Sequence, residues 1–400
     1  MMEVSEQRIR VLRISHASLT PALRQRERAL ARAYPDIDLE VLTAERWREA
    51  EVDVEALDDD LFPVVKARTL LSKHIQLFAY EARPVIAALR RHRPHLIDLN
   101  HEPYSIACAE ILTLCSWYAP DAVVVMQPCQ NIFHRYPPPF SWLERRALRR
   151  AAAAHACSET VRELLRAKGF DKAVAIVPFG VDVDSFSPRP IGNQSAELTI
   201  GYVGRLLPGK GLNLLGDALA ELKTENWKLL VVGDGSERAS FERTLAQHGL
   251  IGQAEFTGAV SYSAVPPLFQ KIDVLVVPTE TTRRIREQFG RVIVEGMASG
   301  VPVIGSTCGA IPEVIGTAGL VFPEGDSAAL AQALRKLLTD PELRATLARA
   351  GRRRVEEHYT WERVAEQTYE LYRNVLKNRP AKARAKAIRF VTESEGELIP

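Results

Sequence analysis

Along the chain, short apolar and β-branched runs alternate with stretches whose apolar residues recur at helical spacing. In the first half the runs predict strands at Arg10–Ile14, Leu39–Thr43, His95–Asn100, Ala122–Gln127, Ala154–Ser158 and Ala173–Pro178. Segments between them, such as Trp142–Ala154 and Glu159–Lys168, have the helical period. The rhythm breaks at FGVDVDSFSPRPIGNQSAE, Phe179–Glu197, whose Pro, Ser, Gly and Asp content reads as a linker. It then restarts, with strands at Leu198–Val203, Lys228–Val232, Ala254–Thr257, Asp273–Pro278, Val301–Gly305 and Leu320–Phe322. Helices are predicted at Leu212–Leu222, Glu237–His248, Arg291–Ala298, Ser327–Leu338 and Trp361–Leu376.

Such alternation requires parallel sheets wrapped by helices. The predicted fold class is therefore α/β, with two doubly wound Rossmann-like parallel-sheet domains at 1–180 and 198–360 and a linker at 181–197. A length of 400 residues suits two domains. Sheets of this kind bind ligands beyond the carboxyl ends of their strands, so a cleft between the domains is the expected site.

Composition narrows the partners. The chain is 46% hydrophobic and 26% charged, ordinary for a globular protein, and its formal net charge of +2 gives no polyanion signal. Nucleic acid is not expected as a partner. The five cysteines are scattered without a C-x-x-C pair, which argues against a disulfide framework and a structural zinc site. The start, MMEVSEQRIRVLRIS, lacks the apolar core of a signal peptide, so a cytoplasmic location is expected. WLERRALRRAAA, Trp142–Ala153, mixes basic and apolar residues on a predicted helix. It is a candidate for peripheral contact with the inner membrane face, weighed against an ordinary amphipathic helix with solvated arginines. A basic tail at 380–400 reads as solvated chain.

GRLLPGKG, Gly204–Gly211, lies between a predicted strand and a predicted helix. It matches a G-x-x-x-x-G-K phosphate loop until its final position, where Gly211 replaces the Ser or Thr that would hold Mg²⁺. Backbone amides at such a junction attract phosphate, and Arg205 and Lys210 add two cations. A metal-free grip on a diphosphate is the reading; a structural turn with solvated charges is the alternative. Further on, Glu287 and Glu295 in EQFGRVIVEGMASG are separated by seven residues. Glu287 stands at the mouth of a predicted helix and Glu295 inside it, with the amides of Phe289, Gly290 and Arg291 between them. A ligand with hydroxyls at both ends and negative charge in the middle fits this pattern, as a nucleoside diphosphate sugar does.

At these residues the chain resembles the retaining glycosyltransferases of the GT-B fold, in the large GT4 family (glycosyltransferase group 1). The matching stretches are GRLLPGKG, VVGDG at Val231–Gly235, FTGAV at Phe256–Val260, the E-x7-E segment, AIPEVIG and YTWERVAEQTYELY. NHEPYS and QNIFHRYPPPF carry a thinner match in the first half and point to a bacterial subgroup. The resemblance implies a helix at 361–377 that returns to the first, acceptor-binding domain, and a second domain that binds the donor. It implies that Arg205 and Lys210 hold the donor pyrophosphate, that Glu287 takes hydroxyls of the transferred sugar, and that Glu295 takes the ribose. Gly204, Gly233, Phe289, Gly290, Arg291 and Val292 would line the donor, with the Val260 backbone at the base. The implied reaction is metal-independent, retaining transfer of a hexosyl group from a UDP- or GDP-sugar to a hydroxyl acceptor (saccharide, lipid-linked or small molecule). No cofactor is implied.

The chain departs from the family pattern in three places, one of them Gln288, where the E-x7-E motif usually has Pro or Gly. Where many members carry Gly-Gly after the first strand it has SHASLT, leaving His16, Ala17 and Ser18 as candidates. Where a histidine often ends the fifth strand it has Gln127; His101, Glu102, Gln130 and His134 are the other acceptor-side candidates. Asp182–Asp184 imitates a D-x-D metal motif in the wrong context and is expected to cap a turn. Asp58–Asp60 reads as a solvated acidic loop, and Cys108 and Cys115 as core. A sugar-nucleotide epimerase or phosphorylase on the same fold, or a nucleotide-sugar-binding protein without turnover, are the competing functions.

Overall fold

The computed structural model describes residues 8–49, 52–189, 197–222 and 226–378. The basic tail at 380–400 and residues 190–196 of the expected linker lie outside them. The chain divides into two compact units. One comprises residues 1–156, 162–177 and 365–400, the other residues 157–161 and 178–364.

The first unit is built on seven parallel strands: β1 (Ile9–Ile14), β2 (Ile37–Ala44), β3 (Val64–Ala67), β4 (Leu96–Leu99), β5 (Val123–Met126), β6 (Ala153–Ala156) and β7 (Ala173–Ile176). Their order is β7-β6-β5-β4-β1-β2-β3. In β4, β5 and β6 every residue is buried, because helices cover both faces of the sheet. The chain order reverses at β1, so ligand-reaching loops gather beyond the carboxyl ends of β1, β4 and β5. The first helices are α1 (Gln25–Ala33), α2 (Ala82–His92), α3 (Ile106–Tyr118), α4 (Phe140–Arg150) and α5 (Glu159–Ala167). Ser105 starts α3 by accepting the Cys108 amide at 3.2 Å. Short hairpins at Arg46–Glu49/Val52–Glu55 and Thr69–Leu70/Ala79–Tyr80 leave the main sheet.

A charged network lies inside this unit. Asp98 on β4 bonds Arg13 at 2.9 Å, Arg26 at 2.9 Å, His155 at 3.1 Å and the Tyr372 hydroxyl at 2.6 Å. All five side chains are buried. Two guanidiniums hold the Asp98 carboxyl well below the usual carboxylate range against the opposing effect of burial. Tyr372 belongs to the long final helix α13 (Trp361–Lys377), whose Tyr369 also bonds Asp36 at 2.7 Å and stacks on Tyr34.

The second unit has six parallel strands: β8 (Leu198–Val203), β9 (Trp227–Val232), β10 (Ala254–Gly258), β11 (Val274–Val277), β12 (Val303–Ser306) and β13 (Leu320–Phe322). The order β10-β9-β8-β11-β12-β13 places its reversal between β8 and β11. Helices α6 (Leu212–Ala220), α7 (Arg238–Gln247), α8 (Val265–Phe269), α9 (Arg291–Ala298), α10 (Ile311–Ile315), α11 (Ser327–Thr339) and α12 (Pro341–His358) complete it. Asp326 and Asp340 cap α11 and α12 through the Ala329 and Leu343 amides. The two units are thus both Rossmann-like and doubly wound.

Three expectations change. The segment 142–154 is not one helix: α4 ends at Arg150, and Ala153 is already inside buried strand β6. Within α4, Ala147 and Leu148 face inward, so the expected membrane-facing stretch is only partly surface. The acidic loop at 58–60 is not wholly solvated either, because the Asp59 side chain is fully buried between Arg24 and Arg28. Asp182 accepts the Asp184 amide and the Ser185 hydroxyl, closing a turn. Cys108 and Cys115 are core residues.

Candidate functional site

The carboxyl edge of the second sheet brings most of the predicted donor residues together. β8 ends at Val203 and the chain turns through Gly204–Gly211 into α6. The turn is pinned from inside: Leu206 donates its amide to the Asp234 carbonyl, Tyr202 bonds the Arg205 carbonyl, and Glu280 donates to the Gly209 carbonyl. Gly211 has φ +71°, and a Cβ there would lie 1.8 Å from the Pro278 carbonyl oxygen. The serine of a nucleotide-hydrolase loop is therefore excluded by sterics, quite apart from its chemistry.

Lys210 leaves this turn and meets Glu287, with Nζ 2.7 Å from Oε2. Thr279 Oγ1 approaches the same carboxylate oxygen at 3.4 Å. Both charged side chains are partly exposed. Arg205 is exposed, and its guanidinium makes no hydrogen bond or ion pair among the described residues. Burial, with Glu287 adding to it, pushes the Tyr202 phenol up, so this hydroxyl stays protonated beneath the turn.

Helix α9 opens beside Glu287. Gly290 caps it in the left-handed region, at φ +82°, and Ile293 donates to the Gly290 carbonyl. The amides just before Ile293 are free of the helical ladder and carry the positive end of its dipole. Phe289 is buried edge-on between Phe179 and Tyr359, which fixes the approach to the helix. Glu295, one turn into α9, is buried and accepts the Tyr262 hydroxyl at 3.1 Å, with the Arg291 guanidinium at 3.8 Å. Burial raises the Glu295 carboxyl, while Arg291 and Tyr262 oppose the rise. Gly233 is bridged to Gly258 at the end of β10, two residues before Val260. Among the described residues no group of His, Cys, Asp and Glu side chains forms a metal-ligand set.

Tyr262, Thr279 and Cys308 belong to this constellation and escape the sequence reading. The Glu287 amide donates to Cys308 Sγ at 3.5 Å, 21 positions away, and nothing in the spacing announces that contact.

In the first unit the candidates fall into two groups. His16, after β1, and His101, after β4, stack at 5.3 Å among Trp47 and Phe78, and Tyr80 meets His101 Nε2 at 3.1 Å. Burial keeps both imidazoles neutral, His16 down to about 4. Glu102 accepts the Cys129 and Gln130 amides, and burial raises its carboxyl. Gln130 extends from it to the Tyr136 hydroxyl at 2.7 Å. Gln127 is buried with its oxygen on Arg13; a guanidinium only donates, so the amide NH₂ must face the other way. Ser18 is buried, its carbonyl held by Arg24, whereas Ala17 and His134 are exposed.

Residues 184–354 match the family described as Glycosyl transferases group 1, and residues 25–185 match Glycosyltransferase Family 4. The 2-deoxystreptamine glucosyltransferase of Streptomyces kanamyceticus is 30% identical over 270 residues, which cover 64% of this chain and 68% of that protein. The phosphatidyl-myo-inositol mannosyltransferase of Mycobacterium leprae is 36% identical over 207 residues, 50% of this chain and 53% of that one. The matched stretch thus spans about two thirds of the first relative and about half of the second. Among solved structures, an Anabaena protein in complex with UDP superposes with a TM-score of 0.70 at 19% identity, covering 92% of this chain and 100% of that one. The same protein is also solved with UDP-glucose.

Proposed function

The chain belongs to the group 1 glycosyltransferases of family 4, and from that premise we propose that it is a retaining, metal-independent hexosyltransferase. Its donor is a UDP- or GDP-sugar and its acceptor carries a free hydroxyl. The observation that carries this reading is the Lys210–Glu287 pair at 2.7 Å, set beside the exposed Arg205 and the opening of α9.

Lys210 and Glu287 pair with and neutralise each other. An arriving pyrophosphate draws the Lys210 ammonium, with Arg205, onto its oxygens and frees the Glu287 carboxylate for hydroxyls of the transferred sugar. The first amides of α9 add a fixed positive potential to the same diphosphate. Glu295, held by Tyr262, is left to receive the ribose hydroxyls. As the bond from the anomeric carbon to the phosphate oxygen breaks, charge grows on the leaving diphosphate, where two cations stabilise it without a metal. The acceptor oxygen bonds the anomeric carbon on the same face, and its proton passes to the departing phosphate oxygen. No carboxylate serves as nucleophile or general base, unlike most glycoside hydrolases.

The Anabaena neighbour is solved in complex with UDP and with UDP-glucose, which supports a nucleotide-sugar donor here. The names of the two relatives suggest acceptors for a first screen, 2-deoxystreptamine and phosphatidyl-myo-inositol. The test is transfer from UDP- and GDP-hexoses to such acceptors in EDTA, with the product anomer read by NMR. An α-linked product from an α-linked donor is expected. An inverted product, or activity that EDTA abolishes, refutes the mechanism.

A further inference from the structure

Helix α3 packs against both α2 and α4, and all three share one hydrophobic core in the first unit. Their outer surface has an unusual make-up. Trp117 near the end of α3 is 69% exposed and Trp142 near the start of α4 is 59% exposed. An indole offers roughly 150–250 Å² for burial, so two of them in water on neighbouring helices need a reason.

Their positions are correlated. Arg146 of α4 donates to Thr113 of α3 at 2.9 Å, which fixes where the two helices meet. Trp117 lies one turn after Thr113, and Trp142 one turn before Arg146, so both indoles flank that contact on the same surface. Arg145 and Arg149 continue the exposed stripe of α4, whose Ala147 and Leu148 point inward. On α2, exposed Arg90 lies over the ring of Tyr118, next to Trp117, at 4.7 Å.

Charge on this face is one-sided. The three helices contain only two carboxylates, Glu110 and Glu144. Glu110 accepts the Tyr80 amide at 2.8 Å, and Glu144 pairs with Lys168. Neither answers the four arginines. No helix among the described residues is long and apolar enough to cross a membrane, so any lipid contact is made from the surface.

We propose that this α2–α3–α4 face docks on an anionic lipid bilayer. The indoles enter the headgroup layer while Arg90, Arg145, Arg146 and Arg149 meet lipid phosphates. Arginine with tryptophan, on helices whose two carboxylates are both engaged, is the complement of that layer. An acidic protein would be matched by the arginines but leaves the two separate indoles without a pocket.

The test is flotation with vesicles of phosphatidylcholine containing about 30% phosphatidylglycerol, against pure phosphatidylcholine, at low salt and at about 0.5 M salt. Binding to the anionic vesicles, with brominated lipid quenching tryptophan emission, is expected; pure phosphatidylcholine should retain little. Arg145→Ser and Arg149→Ser should each weaken partitioning about fivefold. Trp117→Ser with Trp142→Ser should remove the quenching, while nucleotide binding and the melting temperature stay as in the wild type. Failure of the wild type to float with the anionic vesicles overturns the proposal. So does flotation by the variants at wild-type strength. Because the wild-type measurement needs no variant and no sugar donor, its outcome is independent of the transferase reading.

Discussion

Replacing Gly211 by serine would complete a G-x-x-x-x-G-K-S phosphate loop, and the structure predicts damage rather than gained chemistry. At φ +71° a side chain costs about 1–2 kcal/mol in left-handed backbone strain. The new Cβ would also sit 1.8 Å from the Pro278 carbonyl oxygen, where backbone at the end of β11 cannot simply rotate away. Overpacking of this kind adds about 1–3 kcal/mol. The sum, about 2–5 kcal/mol, is a large part of a domain's stability. For a unit of this size it corresponds to a fall of about 5–15 °C in melting temperature. Gly211→Ala should lose nearly as much, because the Cβ and not the hydroxyl is at fault. Both variants can be read by thermal unfolding, beside an assay for Mg²⁺-dependent nucleoside triphosphate hydrolysis. Unchanged melting of both variants, or hydrolysis acquired by Gly211→Ser, would refute this account of the turn.

Two other perturbations follow from the first unit. Asp98→Ala leaves Arg13 and Arg26 buried with part of their compensation removed, and should cost about 3–5 kcal/mol in urea unfolding; a loss under about 1 kcal/mol would mean the network relaxes into water. His16 has its ring held neutral to about 4, mainly by burial and secondly by Arg13, whereas the unfolded chain takes up the proton near pH 6.5. The unfolded state therefore binds more protons in that window, and stability should fall by roughly 3 kcal/mol as pH drops from 6.5 to 4. His16→Gln should flatten that part of the melting curve, and an equally steep fall in the variant would assign the loss elsewhere.

Much of the fold is legible because its strands are short, β-branched and flanked by turns. Leu198–Val203, Leu320–Phe322 and helix Arg291–Ala298 are predicted to the residue. Strand β3 is not among the predictions, since VVKA is a brief edge segment whose lysine interrupts the apolar run. The overlong helix at 142–154 arises because the alanines after Arg150 suit a helix, while tertiary burial draws them into β6. Asp59 looks like its exposed neighbours until Arg24 and Arg28 close on it from another segment. At the candidate site the same division holds. Gly204–Lys210 and Glu287–Glu295 are local patterns with a local physical meaning. The Tyr262–Glu295 and Cys308–Glu287 contacts join positions 33 and 21 apart, which only the folded chain can bring together.

In the proposed function Lys210 and Glu287 form the core of a metal-free diphosphate-sugar grip. Its most direct test is calorimetric titration of UDP and GDP into the wild type and Lys210→Ala, with EDTA present throughout. One nucleotide should bind the wild type in EDTA, and Lys210→Ala should weaken it at least about tenfold, as loss of a charge-assisted hydrogen bond requires. Binding that appears only with added metal, or a Lys210→Ala protein that binds as tightly as the wild type, would contradict it.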